Sequence, residues 1–372
     1  MVYMDGVFPL LIFWRFLVRH KDYSNQLRQL IFVTGMLIGS DSMAESKGIA
    51  YVSNQSGGVS IIELDTMESK GNVNIGAKSP RGIAITSNGK WLVTANKDDN
   101  NISIVDTTGV APPKLVTVGK NPEFVRILGG HAFVTYEPGS KAGPHVKASI
   151  GVEKDDDDDE KIPGHIAIVD LMAGKVIRDI VGKPETEGIE FSKNGKRLIV
   201  TNESDNSITI HDIKSGRLLK SILLGKYGER PRGIKLSPDG STYVVTLELS
   251  DKMLVLNDKF VVIKEVVTGK SPYGVSFDQT GKRLFVAANK EKALQVFDTK
   301  TFDKIKDIPS GDRCWHFSFT PDNKNILLAC GKSGEVVVVD TLTLEVTQRI
   351  VEKEMPWGIV TYPKAMGSLD HP

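Results

Sequence analysis

From about residue 47 onward the chain is built of short apolar-alternating runs separated by polar turns, and the same order of runs recurs. A first run follows a tripeptide such as Pro80-Arg81-Gly82 or Pro231-Arg232-Gly233. A turn comes next, Ser87-Asn88-Gly89-Lys90 or Ser237-Pro238-Asp239-Gly240. Asn-Gly and Asp-Gly suit the left-handed dihedrals of a tight hairpin. A second run reads "LVTAN", "LIVTN" or "LFVAAN", a third "NISIVDT", "SITIHDI" or "EVVVVDT", and a fourth "KLVTVG" or "LLKSILLG". Short runs rich in Val, Ile and Thr with period-two alternation predict strands, so each unit predicts a four-stranded sheet.

Alignment on the tripeptide gives Pro80-Arg81-Gly82, Pro122-Glu123-Phe124, Thr186-Glu187-Gly188, Pro231-Arg232-Gly233, Pro272-Tyr273-Gly274, Cys314-Trp315-His316 and Pro356-Trp357-Gly358. Third positions lie 42, 64, 45, 41, 42 and 42 residues apart. A fixed period near 42 predicts an all-β fold, a seven-bladed, WD40-like β-propeller over residues 47–363 with four antiparallel strands per blade. An open sandwich of many short strands gives no reason for one period. The chain enters inside the first blade at "GIAYVSN" and ends on a lone first strand at residues 356–363. That strand is expected to complete the N-terminal blade and close the ring, which removes an open edge. Residues 364–372 follow as a C-terminal tail. The one long interval places a loop insertion at residues 138–164 in blade three, on the face where second-to-third loops open.

Residues 1–44 do not share the pattern. Arg28, an apolar run at 30–38 and the small residues Ser42 and Ala44 read as a secretory signal with its cleavage site, or as an N-terminal anchor with an extended start. The run is shorter than the roughly 20 apolar residues of a spanning helix. Either reading places the domain outside the cytoplasm, in the periplasm or otherwise exported, with no membrane span in the mature chain. Lys and Arg (47) nearly cancel Asp and Glu (46), so no strong field recruits nucleic acid. The two cysteines form neither a haem-attachment nor a structural zinc motif.

"YVSNQSGGVSIIELDT", "LVTANKDDNNISIVDT", "LIVTNESDNSITIHDI" and "PRGIKLSPDG" resemble the YVTN-repeat family of β-propellers across residues 47–363. That family is related to cytochrome d1-type propellers and to seven-bladed lactonase-like proteins. The motifs are structural, so the resemblance implies a fold more than a reaction.

In a propeller the first strands line the central channel, so residues at their starts should ring one channel mouth. These are Arg81, Glu123, Glu187, Arg232, Tyr273, Trp315 and Trp357. Arginines hold carboxylate or phosphate by paired hydrogen bonds, and indoles offer flat apolar faces to a ring. Blade seven places His316 where its siblings place Gly. It reads as a packed histidine filling that space with a hydrogen bond to backbone, or as an axial or acid–base residue at the mouth. Cys314 and Cys330 are each eight residues from the hairpin turn at Asp322, hence roughly opposite one another. They form a disulfide, stay as free thiols, or lend a thiolate beside His316. The acidic run at 155–160 reads as a solvated loop that partly covers the mouth or meets a partner, in preference to a calcium loop. His131, His145 and His165 bracket it without a ligand spacing.

No nucleophile–base pairing and no phosphate-cradling loop stand out, and no metal set is assigned. The expected function is therefore an exported accessory protein of the cell envelope, more a binder than an enzyme, taking a small-molecule ligand or an envelope protein partner at the mouth. The d1-type resemblance implies an alternative, a haem-type tetrapyrrole or other redox-cofactor handler. There His316 would be the ligand, with Arg81 and Arg232 on the acid groups. The lactonase-like resemblance implies a second alternative, a metal-assisted hydrolase using Glu123 and Glu187.

Overall fold

A computed structural model describes residues 47–137, 162–352 and 354–371. The expected signal or anchor at 1–44 lies outside them, as do His145, the acidic run and nearly all of the insertion. The described residues form seven four-stranded antiparallel sheets arranged as a β-propeller. Blade 1 joins Ile49–Asn54, Val59–Glu63 and Glu68–Val73 to the C-terminal strand Pro356–Tyr362, with Tyr51 opposite Val360. Both ends of the repeat region thus meet in one sheet. Blades 2 to 7 start with Pro80–Ile85, Val125–Leu128, Thr186–Phe191, Pro231–Leu236, Pro272–Phe277 and Cys314–Phe319, and their strands then follow in chain order. Among the described residues no helix is long and apolar enough to cross a membrane.

Burial follows a strand's place in its blade. Inner strands such as Thr186–Phe191 are buried throughout, while the outermost strand Leu218–Leu223 is exposed along most of its length. The core lies between blades: Val286, Phe317 and Val337 belong to one cluster drawn from adjacent sheets. Burying both faces of each inner strand is what the Val- and Ile-rich runs accomplish.

The first strands crowd the axis. A Cβ on Gly188, Gly233 or Gly274 would strike the backbone carbonyl of Arg232, Tyr273 or Trp315 in the next blade. Glycine ends the tripeptide because backbone approaches backbone there. The hydroxyl of the second run then ties blade to blade. Thr201 Oγ1 accepts from the Gly188 amide at 2.8 Å and donates to the Arg232 carbonyl at 2.8 Å. Thr246 accepts from Gly233 at 2.9 Å and donates to Tyr273 at 2.7 Å. Ser53 and Thr135 do the same toward the carbonyls of Arg81 and Glu187.

Blade 7 solves the same problem differently. Ala329 replaces the hydroxyl, and a Cys314–Cys330 disulfide ties the first strand to the second. Pairing resumes at His316 opposite Ala329, one residue earlier than the corresponding point in blade 5, where it resumes at Ile234. A side chain therefore replaces glycine at the axis.

Residues 364–371 turn back into the hub. Phe319 N donates to the Met366 carbonyl at 2.8 Å, Ser368 N donates to Phe317 at 2.9 Å, and Leu369 is fully buried. The fully buried Lys235 donates to the Asp370 carbonyl at 2.6 Å and lies 3.9 Å from Glu190, which also pairs with Arg126 at 3.1 Å. Arg126, Glu190 and Lys235 each follow a ring residue by three positions, so they sit roughly 10 Å further along the channel.

Two stability predictions follow from these contacts. Thr201→Val keeps the volume but removes the tie, and should cost about 1–3 kcal/mol in urea denaturation. Deleting residues 364–372 strips Lys235 of its carbonyl acceptor and should lower the urea midpoint by a comparable free energy. An unchanged midpoint in either variant would contradict the role given to that contact.

Candidate functional site

Three positions of the repeat converge on one mouth of the channel, the second from every blade and the others from most. The first precedes the inner strand: Ser79, Asn121, Glu185, Arg230, Ser271, Arg313 and Met355 all have φ between 50° and 62°. None is glycine, and a left-handed non-glycine residue costs about 1–2 kcal/mol. The kink leads the chain from one blade into the next, and Asn121, Glu185, Arg230, Arg313 and Met355 line the cavity there. The second position is the expected ring. Arg81, Glu123, Glu187, Arg232, Tyr273, Trp315 and Trp357 all line the same cavity of about 350 Å³. The third position follows the second strand and supplies Gln55, Lys97, Glu137, Glu203 and Glu248.

Opposite charges meet across blades. Arg232 is the centre: its Nη1 lies 2.6 Å from Glu187, its Nε 2.7 Å from Glu248, and it also pairs with Glu203. Its guanidinium stands 4.9 Å above the Tyr273 ring. Tyr273 donates its hydroxyl to Glu187 Oε1 at 2.8 Å. Arg230 Nε reaches Glu203 at 2.7 Å, and Arg81 pairs with Glu123 while its Nε reaches Gln55 at 3.3 Å. Glu123 Oε2 is buried without a hydrogen-bond partner among the described residues.

Burial pushes the Glu187 carboxyl up to about 7, opposed by Arg232 and reinforced by the charge of Glu123. Glu248 is also desolvated, yet Arg232, by charge and hydrogen bond, and then Arg230 hold it below the usual carboxylate range. Two carboxyls on one guanidinium are thus driven apart, the pattern that separates acid from base roles in a site.

His316 is not at the mouth. It is 1% exposed and sits beneath the ring, with Trp357, Phe124 and Tyr273 ring centroids at 4.4, 5.3 and 5.3 Å. Its Nδ1 is 3.0 Å from Ser368 Oγ, a side-chain partner rather than the backbone one expected, and its Nε2 is buried without a hydrogen-bond partner among the described residues. Burial, then the charges of Arg232 and Lys235, hold the imidazole well below its ordinary pKa. A tetrapyrrole in the mouth does not fit this arrangement. Its axial histidine is sealed under a floor, and the guanidiniums of Arg81 and Arg232 are engaged by carboxylates of the chain itself. Among the described residues no three His, Cys, Asp or Glu cluster as metal ligands. His131 and His165 lie at opposite ends of paired strands and share no site.

A family described as "Lactonase, 7-bladed beta-propeller" matches residues 168–259, the stretch that carries Glu187, Glu203, Arg230, Arg232 and Glu248. The fold is a seven-bladed β-propeller, and the family match spans about a quarter of the chain. A structure of a candidate 6-phosphogluconolactonase from Bacteroides uniformis superposes with a TM-score of 0.67 at 17% identity, covering 85% of this chain and 99% of that one. A protein of unknown function from Desulfotomaculum acetoxidans gives 0.68 at 18% identity, covering 84% and 98%. Kuenenia stuttgartiensis hydrazine synthase gives 0.63 at 19% identity, covering 83% and 99%. No curated protein sequence matches the chain. At these identities the structural likeness speaks for the propeller fold alone.

The ring residues were legible because each follows the first tripeptide residue. The left-handed tier was not: Ser, Asn, Glu, Arg and Met share no composition signal. Arg232→Ala should leave Glu187, Glu203 and Glu248 facing one another without their shared cation. A loss of about 3–5 kcal/mol in denaturant unfolding is expected, and a loss under about 1 kcal/mol would contradict the network's central role.

Proposed function

We propose that this chain is a lactonase-like hydrolase that takes a small polar lactone into the channel mouth and uses Glu187 as general base. The observation that carries this reading is a carboxyl poised near pH 7 in a concave site, within the segment matched by the lactonase family. A base tuned to the working pH is what attack of water on an ester carbonyl needs. The Glu187 carboxylate takes a proton from water, the water oxygen bonds to the carbonyl carbon, and the ring C–O bond breaks. The proton then passes to the leaving alkoxide, giving the open hydroxy acid.

A second reading keeps the mouth as a binding site of an exported accessory protein with a small-molecule or envelope partner. It is favoured by the mutual pairing of carboxylates and guanidiniums, which lets the ring recognise polar groups without a free nucleophile. The Cys314–Cys330 disulfide supports export, since such bonds persist in oxidising compartments.

Proton release on a panel of aldonolactones separates the two. As a general base, Glu187 is active when ionised, so kcat/KM should rise with pH through about 7 and then level. Glu187→Gln should lower it by about 100- to 10,000-fold. Binding of aldonic acids with no turnover of any lactone would favour the accessory reading. Undiminished hydrolysis by Glu187→Gln would remove Glu187 from the reaction.

A further inference from the structure

The carboxylates of the mouth differ in what their oxygens are left free to do. Glu123 gives one oxygen to Arg81, and its other oxygen, Oε2, is buried without a hydrogen-bond partner among the described residues. Glu248 Oε2 accepts from Arg232 Nε at 2.7 Å. Glu187 is arranged otherwise. Two donors meet on its Oε1, Arg232 Nη1 at 2.6 Å and the Tyr273 hydroxyl at 2.8 Å. Among the described residues nothing donates to its Oε2, which unlike Glu123 Oε2 is not sealed off from the cavity.

We propose that Tyr273 is a positioning residue for proton abstraction by Glu187: its hydroxyl, together with the Arg232 guanidinium, pins Oε1 and leaves Oε2 as the oxygen that takes the proton from water. The inference rests on the lactonase reading and adds to it a division of labour within one carboxyl. Tyr273 acts through Glu187 and on none of the reacting atoms. It fixes where Oε2 points, and a general base must meet its proton at about 2.6–3.2 Å. A hydrogen bond to the ionised carboxylate favours that form, so the same hydroxyl also works against the burial that lifts Glu187.

Tyr273 is itself held on several sides. It comes from the inner strand of blade 6 and passes blade 5 to reach a carboxyl of blade 4, 86 residues away. Its backbone carbonyl accepts from Thr246 Oγ1 at 2.7 Å. Arg232 stands over its ring at 4.9 Å, and the His316 ring meets it at 5.3 Å with the planes 77° apart. The imidazole that replaces glycine at the axis of blade 7 thus packs against the ring that carries the hydroxyl. Burial, opposed by Arg232 and reinforced by Glu187, lifts the phenol well above its ordinary pKa, so it remains a donor at neutral pH. The charged groups around Glu187 are Arg232 on blade 5, Glu123 on blade 3 and Arg81 on blade 2, with Glu203 and Glu248 joined through Arg232.

The test removes the hydroxyl and keeps the ring. Tyr273→Phe retains the ring that packs against Arg232 and His316, and urea unfolding checks that it folds. The first arm needs no turnover: difference infrared spectroscopy follows the protonated-carboxyl band of Glu187, identified by its loss in Glu187→Gln. Its midpoint should move up by about 1–2 pH units in Tyr273→Phe. Incorporation of fluorotyrosine into the wild-type chain, whose phenols become stronger donors, should move it down. In the second arm, kcat and KM are measured across pH on the aldonolactone that the wild type hydrolyses best. The rise of kcat/KM with pH should move up with the infrared midpoint, and the kcat plateau should fall by about 10- to 100-fold with little change in KM. An unmoved infrared midpoint overturns the proposal, even where the variant is less stable, because a merely structural tyrosine predicts that result. An unchanged pH–rate profile and plateau in an active enzyme overturns it as well. In a protein that hydrolyses no lactone, a moved infrared midpoint supports Tyr273 as the residue that pins Glu187, and the lactonase reading alone falls.

Discussion

Seven inner strands converge on one axis, and at the third tripeptide position five of them carry glycine where an added Cβ would meet neighbouring atoms. That crowding governs most of the rest. It demands glycine at 188, 233 and 274, where a Cβ would meet the next blade's carbonyl. It brings second-strand hydroxyls within reach of neighbouring first strands, so Ser53, Thr135, Thr201 and Thr246 each hold the carbonyl of a mouth residue. The same bonds that close the wheel thereby fix the backbone of Arg81, Glu187, Arg232 and Tyr273. Architecture and site share one set of contacts.

Convergence also concentrates charge. Residues that are about 42 residues apart in sequence become neighbours at the mouth, where acids and guanidiniums are partly desolvated. A buried pair contributes little net stability but is costly to break, which makes the network a constraint on composition more than a source of strength. Within it Arg232 cannot satisfy every carboxyl equally. Glu248 stays ionised and Glu187 is lifted toward neutrality. A second charged layer, Arg126, Glu190 and Lys235, repeats the theme deeper in the channel, and the C-terminal residues close over it.

The period of the repeat, the blade count and the closing strand were all readable, because strand alternation and turn residues are local signals. The seven ring residues were readable too, because one tripeptide marks each channel-lining start. What the chain concealed depends on contacts between distant segments. The pairing of Arg232 with Glu187 joins two blades across 45 residues of sequence, and no spacing rule marks it. His316 has two readings in the sequence, a packed residue in the space glycine leaves or a mouth residue beside Trp315; successive residues of a strand face opposite ways, and its ring lies buried beneath the floor. Residues 364–371 read as a tail because they follow the last strand. Their role shows only once Lys235, 135 residues from Asp370, is seen to need an acceptor. The cysteine pair was legible as opposed positions, and the disulfide joins the first two strands of a blade that carries Ala329 in place of the hydroxyl.

The account stands on a carboxyl that the crowded hub keeps from ionising at ordinary acid pH. Difference infrared spectroscopy reads this directly, by comparing the protonated-carboxyl band of the wild type with that of Glu187→Gln across a pH series. The account predicts a band that disappears with a midpoint near about 7 in the wild type and is missing from the variant. A Glu187 signal that titrates in the ordinary carboxylate range, roughly 4 to 5, would contradict it.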